Sequence, residues 1–217
     1  MHKFALSLMA LSLGALATPA FAADMIPYGN VGHVAPTPAI TATGNTLDIY
    51  FYGSDASNTD DIQVKDVTQG WTSGLILDNH SSTPGTSEYI FPSGINQMVI
   101  GDVLEFFLVD QTTGKTYSSN PADSDDGYNH AYITSFSGNG TIPAGTFVGF
   151  EDLFIGANSD HVCGGQNNQS DCDYNDDEFV FVGVTTGGAA PEPNSLALLG
   201  TSILGAAGIV RRRFFQR

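Results

Sequence analysis

Residues Thr46–Tyr52 read Thr-Leu-Asp-Ile-Tyr-Phe-Tyr, with Leu47, Ile49 and Phe51 at every second position. Side chains two residues apart lie on the same face of a β-strand, so this spacing predicts a strand with one buried apolar face. Residues Val103–Val109 read Val-Leu-Glu-Phe-Phe-Leu-Val and are apolar except for the Glu. Such a run predicts a strand at the centre of a sheet.

Shorter apolar runs bounded by turn residues continue along the chain. We expect further strands at Ile62–Val67, Leu75–Leu77, Glu88–Phe91, Lys115–Ser118, His130–Phe136, Thr146–Leu153 and Glu178–Val184. A turn at Gln111–Gly114 predicts a hairpin that leads into Lys115–Ser118. No helical periodicity appears outside the two terminal segments, and the 25 Gly and 10 Pro suit many turns. The pattern predicts an all-β fold, an antiparallel β-sandwich of jelly-roll type.

The charge of the chain restricts what it binds. Its 217 residues include 7 basic and 23 acidic side chains, for a net charge of −16. Between Asp24 and Ala190 there are two cations, Lys65 and Lys115, against 22 carboxylates, which gives −20. A nucleic-acid binder needs a basic surface, so that class is excluded. A folded domain with so few cations predicts divalent metal ions as counter-charges.

The N-terminal segment, residues 1–22, predicts a secretory signal peptide with an apolar helix. A basic start is followed by the apolar run Phe4–Ala17 and by Ala20-x-Ala22, which predicts cleavage after Ala22 or Ala23. The alternative is a membrane anchor, but the run is shorter than the ~20 residues that a spanning helix needs. Residues 23–45 then form a proline-rich lead-in to a β-sandwich domain at residues 46–186.

The C-terminal tail, residues 187–217, contains a Pro-Glu-Pro motif, then an apolar helix over Leu196–Val210, then an arginine cluster. This order resembles the PEP-CTERM sorting signal of Gram-negative bacteria. The resemblance implies an exosortase as a partner, transient inner-membrane anchoring through the helix, and an association with exopolysaccharide. The arginines would stay on the cytoplasmic side, and an ordinary single-pass anchor is the alternative. The sorting-signal residues are Pro191, Glu192, Pro193, Arg211, Arg212 and Arg213.

The chain has two cysteines, Cys163 and Cys172. The secretory route permits disulfides, so we expect these residues to form one, closing a ten-residue loop. Loop-closure entropy predicts that this bridge contributes roughly 2.7 kcal/mol. The alternative is a pair of metal-binding thiolates with His161 nearby, but no further ligands complete a zinc set at suitable spacing.

The segment around Cys172 carries oxygen side chains at every second position. Asp171, Asp173, Asn175 and Asp177 give the Asp-x-Asp-x-Asn-x-Asp spacing with which a tight loop surrounds a calcium ion, and Asp176 adds a further carboxylate. The full EF-hand pattern fails, because it needs Gly and Glu where this chain has Asp176 and Val182. A solvated acidic turn is the alternative, although the carboxylates would then repel one another without a counter-ion.

Three other acidic clusters surround this motif in sequence. Glu151 and Asp152 follow a predicted strand and are expected to supply further calcium ligands. Asp123, Asp125 and Asp126 form either a second calcium loop or only a polar turn. The stretch Asp55–Asp61 is expected to be a solvated loop, so Asp60 should play no part in metal binding.

The residues Gly149–Leu153, a Gly/Asn-rich gap, Asp171–Phe179 and the earlier Tyr128–Ala131 are similar to motifs of the bacterial surface family called domain of unknown function 4114. The resemblance covers about Ala122 to Val184. It implies a secreted β-rich module that binds calcium and has no known enzymatic activity. The cysteine loop between the two motif halves departs from the family pattern and leaves the role of Asp160 open.

These features together predict a secreted, non-catalytic, calcium-stabilised protein of the cell surface or of an exopolysaccharide or biofilm matrix. A calcium-dependent carbohydrate-binding module is the alternative, with Trp71 and several tyrosines as an aromatic platform. Outward-facing aromatic rings would favour sugar binding, and buried rings would favour a structural protein. A glycan-active hydrolase is a third possibility, built on paired carboxylates or on His130. The tyrosines are Tyr50, Tyr52, Tyr89, Tyr117, Tyr128 and Tyr132.

The sorting prediction is tested by the mass of the exported protein. If an exosortase processes the tail, intact-mass analysis should show a product that lacks the residues beyond the Pro191–Pro193 region. Replacing the three arginines with Ala should leave the precursor mis-sorted. An exported protein that retains Arg211–Arg217 would contradict the prediction.

Overall fold

The computed structural model describes residues 26–90, 98–156, 161–164 and 169–187. The predicted signal peptide, nearly all of the sorting tail, Phe91 and Asp160 lie outside these residues. The described chain contains no α-helix, only a short 3₁₀ turn at Pro121–Asp123, and its remaining regular structure is β. No helix among the described residues has both the length and the apolar character to cross a membrane.

The strands form two antiparallel sheets, whose members we number in chain order. Sheet I has the order β11-β1-β6-β3-β4, with β7 paired to the free part of β6, and sheet II has the order β5-β2-β10-β9-β8. The strands are β1 (Ile40–Ala42), β2 (Leu47–Ser54), β3 (Asp60–Asp66), β4 (Trp71–Thr72), β5 (Ser87–Ile90), β6 (Val103–Asp110), β7 (Lys115–Ser118), β8 (Ala131–Phe136), β9 (Gly145–Phe150), β10 (Asp177–Val182) and β11 (Val184–Thr186).

The two sheets share one apolar core, which is the arrangement of a β-sandwich. Phe106 of β6 in sheet I stacks on Phe181 of β10 in sheet II, with ring centroids 3.9 Å apart. The core takes alternate residues from each strand, because side chains alternate between the faces of a sheet. The expected all-β fold with antiparallel sheets is therefore confirmed, and the jelly-roll subtype stays a prediction.

Alternation also brings polar residues to the inner face of sheet I. In β3 the inner positions begin with Asp60, continue with Ile62 and Val64, and end with Asp66. Asp60 lies directly opposite Asp110, the last residue of β6. The apolar core is thus bounded by buried carboxylates where these strands begin and end.

Two smaller apolar clusters support the rest of the domain. The outer face of sheet II buries Tyr52, Ile142, Phe147 and Val180. The other cluster joins the predicted lead-in to the acidic loop and consists of Tyr28, Ala35, Ile155, Cys172 and Tyr174. The lead-in is consequently part of the packed domain.

The strand predictions are confirmed for most of the chain, with four differences. Residues Leu75–Leu77 make only a bridge between Ile76 and Ile62. The strand β9 ends at Phe150, so the carboxylates that follow it are in a loop. Gly183 has a φ of 107°, and this conformation separates β10 from β11. The short strands β1 and β4 were not predicted, because three and two residues show no alternation.

Candidate functional site

The acidic loop before β10 alternates between solvent and core. Cys172 and Tyr174 have positive φ values of 55° and 59°, which is uncommon for residues other than glycine. Both side chains are buried, whereas Asp171 is exposed and Asp173 is half-buried. The left-handed residues curve the backbone and leave the two aspartates on the same side of the loop.

The loop is held to the domain by a disulfide and by hydrogen bonds of the Tyr174 hydroxyl. Cys163 and Cys172 form the expected disulfide, with their Cα atoms 6.1 Å apart. The Tyr174 hydroxyl accepts a hydrogen bond from the backbone N–H of Ala35 at 2.7 Å and donates one to the carbonyl of Asn129 at 3.2 Å. The strained backbone is therefore supported from three separate parts of the chain.

Close approach to β9 fixes the height of the loop above the sheet. A Cβ atom at Gly149 would lie 2.2 Å from the carbonyl oxygen of Tyr174. Only glycine permits this distance without a shift of the backbone. Glu151 follows two residues after Gly149, just past the end of β9, and its side chain contacts the backbone of the loop at Tyr174.

Glu151 is buried and is the best-anchored carboxylate of the site. It accepts hydrogen bonds from the Ser170 hydroxyl and from the backbone N–H of Tyr174. Its backbone N–H donates to the carbonyl of His130 at 3.1 Å, and its carbonyl accepts from His130 Nδ1 at 2.9 Å. Glu151 is therefore fixed through both its side chain and its backbone.

His130 is a buried side chain that positions Glu151. Its Nε2 lies 3.0 Å from both carboxylate oxygens of Asp126, and its Nδ1 lies 2.9 Å from the carbonyl of Glu151. Both ring nitrogens are therefore engaged by neighbouring oxygens. Burial by itself would raise the pKa of Asp126, but the hydrogen bond with His130 holds this pKa below its usual value. Because both nitrogens are engaged, the contacts of His130 are those of a side chain that holds the structure together.

Glu151, Asp171 and Asp173 form the candidate metal centre, which we call the Glu151 group. One carboxylate oxygen from each lies within 4.8 Å of the others. The three side chains range from buried to exposed, so a cation could enter from solvent on the Asp171 side. This acidic group could hold a metal ion, and the sequence motif predicted all three of its residues.

The other predicted ligands of this motif lie around the group in different ways. The Asn175 amide donates to Asp173 Oδ2 at 2.7 Å, which orients that carboxylate. Asp176 accepts from the backbone N–H of Asp152 at 2.9 Å. Asp177 opens β10 and is fully buried on the inner face of the sandwich, in line with Phe179. The structure therefore divides the predicted set between the loop surface and the interior.

The three carboxylates of the second predicted acidic cluster each contact a different partner. Asp123 pairs with Lys65 at 2.6 Å, and Asp125 accepts from the backbone N–H of Thr116 at 3.0 Å. Asp126 belongs to His130, as described above. In the described part of the chain these three carboxylates form no common group, so the polar-turn alternative accounts for their contacts.

The expectation for Asp55–Asp61 was wrong at its last two residues. Asp60 is fully buried and Asp61 is half-buried, and together they begin β3, while Asp55 is exposed. The stretch looks like a loop by composition, but Asp60 has the same parity as Ile62 and therefore lies on the inner face. Extending the predicted strand by two residues would have shown this.

The aromatic residues do not favour the sugar-binding alternative. Tyr52 and Tyr117 are buried, and Tyr89 is the one exposed member of the predicted set. Tyr52 packs edge-on against Phe136 and Phe147, and the other members, Trp71, Tyr50, Tyr128 and Tyr132, are half-buried. Ring burial of this kind is typical of packing within a domain.

Comparisons with protein-family models, curated proteins and solved structures gave no match. The resemblance to domain of unknown function 4114 and to the PEP-CTERM signal stays a prediction.

Burial raises the pKa of several carboxyl groups around the site. Glu151 is raised to about 7 by burial and by the charges of Asp173 and Asp171. Asp176 is raised to about 9 by burial and by the charges of Glu151 and Asp152. Glu178, on the outer face of sheet II, is raised to about 8 by burial and by Asp173. In metal-free protein these groups resist ionisation.

This resistance predicts that the metal-free protein loses stability as pH rises. Below pH 4 the groups are protonated in both states, and between pH 4 and 9 the unfolded state releases protons that the folded state retains. Each pH unit over which one extra proton stays bound costs about 1.4 kcal/mol. Thermal unfolding of chelated, dialysed protein should show a melting temperature that falls from pH 5 to pH 9. A melting temperature that rises over this range would contradict the shifts.

Proposed function

We propose that the protein is a secreted, non-catalytic β-sandwich module, jelly-roll-like in topology, that is stabilised by calcium at the Glu151 group. The observation that carries this proposal is that three carboxylate oxygens lie within 4.8 Å of one another. Two come from the loop that the disulfide holds, and the third comes from Glu151. Like charges at this separation repel, and a divalent cation converts the repulsion into attraction.

The chemistry of the donors supports calcium over the transition metals. All three ligating side chains are carboxylates, and both cysteines are joined in the disulfide, so no thiolate is available among them. Oxygen donors suit the hard cations Ca²⁺ and Mg²⁺. The Glu151 group mixes one anchored residue with two from a curved loop, and calcium tolerates such irregular geometry better than magnesium does.

A structural role fits the arrangement better than catalysis does. His130 has both nitrogens committed to acceptors, so it has no free base to offer a nucleophile. Glu151 is held by two hydrogen bonds beneath the loop, which suits a ligand that organises the fold.

The proposed place of action rests on the sequence alone. The signal peptide, the Pro191–Pro193 motif, the apolar helix and the arginines support export through the inner membrane and sorting by an exosortase. We propose delivery to the cell surface or extracellular matrix of a Gram-negative bacterium, where exopolysaccharide is the candidate neighbour. Millimolar calcium outside the cell would keep even a weak site occupied.

Calcium titration of the exported protein tests the Glu151 group. Asp173→Asn keeps the size of the side chain and removes one of three ligand charges, so calorimetric titration should show calcium affinity at this site reduced about tenfold or more. Asp125→Asn is the matched control, because it removes the same charge from the neighbouring polar turn and should leave affinity unchanged.

Two results would contradict the proposal. One is the absence of calcium binding by the wild-type protein at millimolar concentration. The other is an equal loss of affinity in both variants, which would indicate a general effect of net charge without a site at Asp173.

A further inference from the structure

A second group of carboxylates lies inside one end of the sandwich, separate from the Glu151 group. Asp60 is the first residue of β3 in sheet I, and Asp177 is the first residue of β10 in sheet II. Each has the same parity as the core residues that follow it, so both side chains point between the sheets. Asp60 and Asp177 are called the interior acidic cluster.

The two carboxyl groups of this cluster are close enough to act on each other. Asn79 accepts a hydrogen bond from the backbone N–H of Asp60 and donates one to the Ser54 hydroxyl, and Ser54 lies opposite Asp177. The charge of Asp60 also acts on the Asp177 carboxyl group. Two segments that are distant in sequence therefore bring negative charge to the same buried region.

Asp60 and Asp177 are buried without hydrogen-bond partners. Both residues are 0% exposed, and none of their four carboxylate oxygens has a hydrogen-bond partner in the described structure. Burying a carboxylate in this way costs several kcal/mol unless a proton or a cation compensates. Unsatisfied buried oxygens are rare in folded proteins, so four in one place require an explanation.

The neighbouring Asp110 shows that the fold can satisfy a buried carboxylate. It is also 0% exposed and lies opposite Asp60. It accepts hydrogen bonds from the backbone N–H groups of Thr112 and Thr113, from the Thr113 hydroxyl and from the Asn58 amide. The contrast indicates that the oxygens of Asp60 and Asp177 are left for a ligand that comes from outside the chain.

Neither lysine of the described ranges serves this cluster. Lys65 pairs with Glu105 and Asp123, and Lys115 lies over the ring of Phe154. The described ranges contain no arginine.

Polar residues hold the backbone of the cluster in place. Asn79 Oδ1 accepts from the N–H of Asp60 at 3.0 Å, and the Asn79 N–H donates to the Asp60 carbonyl at 3.0 Å. The Asn79 amide also donates to the Ser54 hydroxyl at 3.3 Å. This arrangement fixes Asp60 through its backbone and leaves its side chain oxygens available, as in preorganised ion sites.

We propose that Asp60 and Asp177 bind a second divalent cation, of which calcium is the best match to an all-oxygen site, in the interior of the sandwich. The ion would join β3 of sheet I to β10 of sheet II and neutralise charge that the chain itself does not. The site has its own residues and does not depend on binding at the Glu151 group.

The number of bound calcium ions tests this proposal. Wild-type exported protein, saturated with calcium and passed through a desalting column, should retain about two ions per chain by elemental analysis, and calorimetric titration should show two sites. Asp60→Asn should lose one ion and keep the other. Asp61→Asn is the matched control, because Asp61 is the next residue of the same strand and points outward, so this variant should keep both ions.

Asp177→Asn is the second variant and should lose the same ion as Asp60→Asn. Both substitutions remove a buried charge without changing side-chain size, so the metal-free variants should be at least as stable as metal-free wild type. A metal-free Asp60→Asn protein that melts below metal-free wild type would count against the proposal, since charge repulsion would then not be what the ion relieves.

The two sites can fail separately. If wild type holds one ion that Asp173→Asn loses and Asp60→Asn keeps, the interior site is overturned and the Glu151 group stands. If wild type holds one ion that Asp60→Asn loses and Asp173→Asn keeps, the interior site stands and the Glu151 group fails. Two ions in Asp60→Asn would overturn the interior site, as would protein that binds none.

Discussion

Burial of carboxylates without nearby protein cations is the constraint on which this structure depends. The described domain buries Asp60, Asp110, Glu151 and Asp177 almost completely. It contains two lysines, and these serve other partners at the edge of the domain. Because removing a carboxylate from water is costly, each buried group must be neutralised, hydrogen-bonded or bound to a cation. Hydrogen bonds satisfy Asp110, and we propose cations for the Glu151 group and for the interior acidic cluster.

Neighbouring parts of the fold are arranged around the same constraint. His130 contacts the carboxylate of Asp126 through Nε2, and it fixes the backbone of Glu151 through Nδ1 and through its own carbonyl. The disulfide and Tyr174 hold a left-handed loop so that Asp171 and Asp173 face Glu151. Asp176 lies close to the Glu151 group, and the charges of Glu151 and Asp152 both act on it.

Much of the architecture could be predicted because it follows from local pattern. Alternation predicted β2 and β3, and a continuous apolar run predicted β6. The Asp-x-Asp spacing together with Glu151 predicted the three residues of the Glu151 group. Asp60 was missed because its surroundings have the composition of a loop, although its parity with Ile62 was available in the sequence. The division of Asp171–Asp177 between surface and interior was also hidden. It depends on where β10 begins, and strand ends are set by packing between distant segments.

The role of the lead-in shows the same limit. Tyr28 and Ala35 lie in a proline-rich segment without periodicity, and nothing local marks them as buried. They support the acidic loop through Tyr174, which lies about 140 positions later in the chain. The Tyr174 ring packs against the ring of Tyr28, and its hydroxyl accepts a hydrogen bond from the backbone N–H of Ala35. Contacts of this range are decided by the whole fold, so residue patterns do not indicate them.

Calorimetric unfolding of the exported protein in chelator, in millimolar magnesium and in millimolar calcium shows whether divalent cations compensate the buried carboxylates. If divalent cations compensate the buried carboxylates, calcium should raise the melting temperature well above that in chelator, and magnesium should raise it less. At a hundredfold excess over Kd, one calcium ion bound only to the folded state adds about 2.7 kcal/mol. Identical melting temperatures in calcium and in chelator at neutral pH would contradict the account.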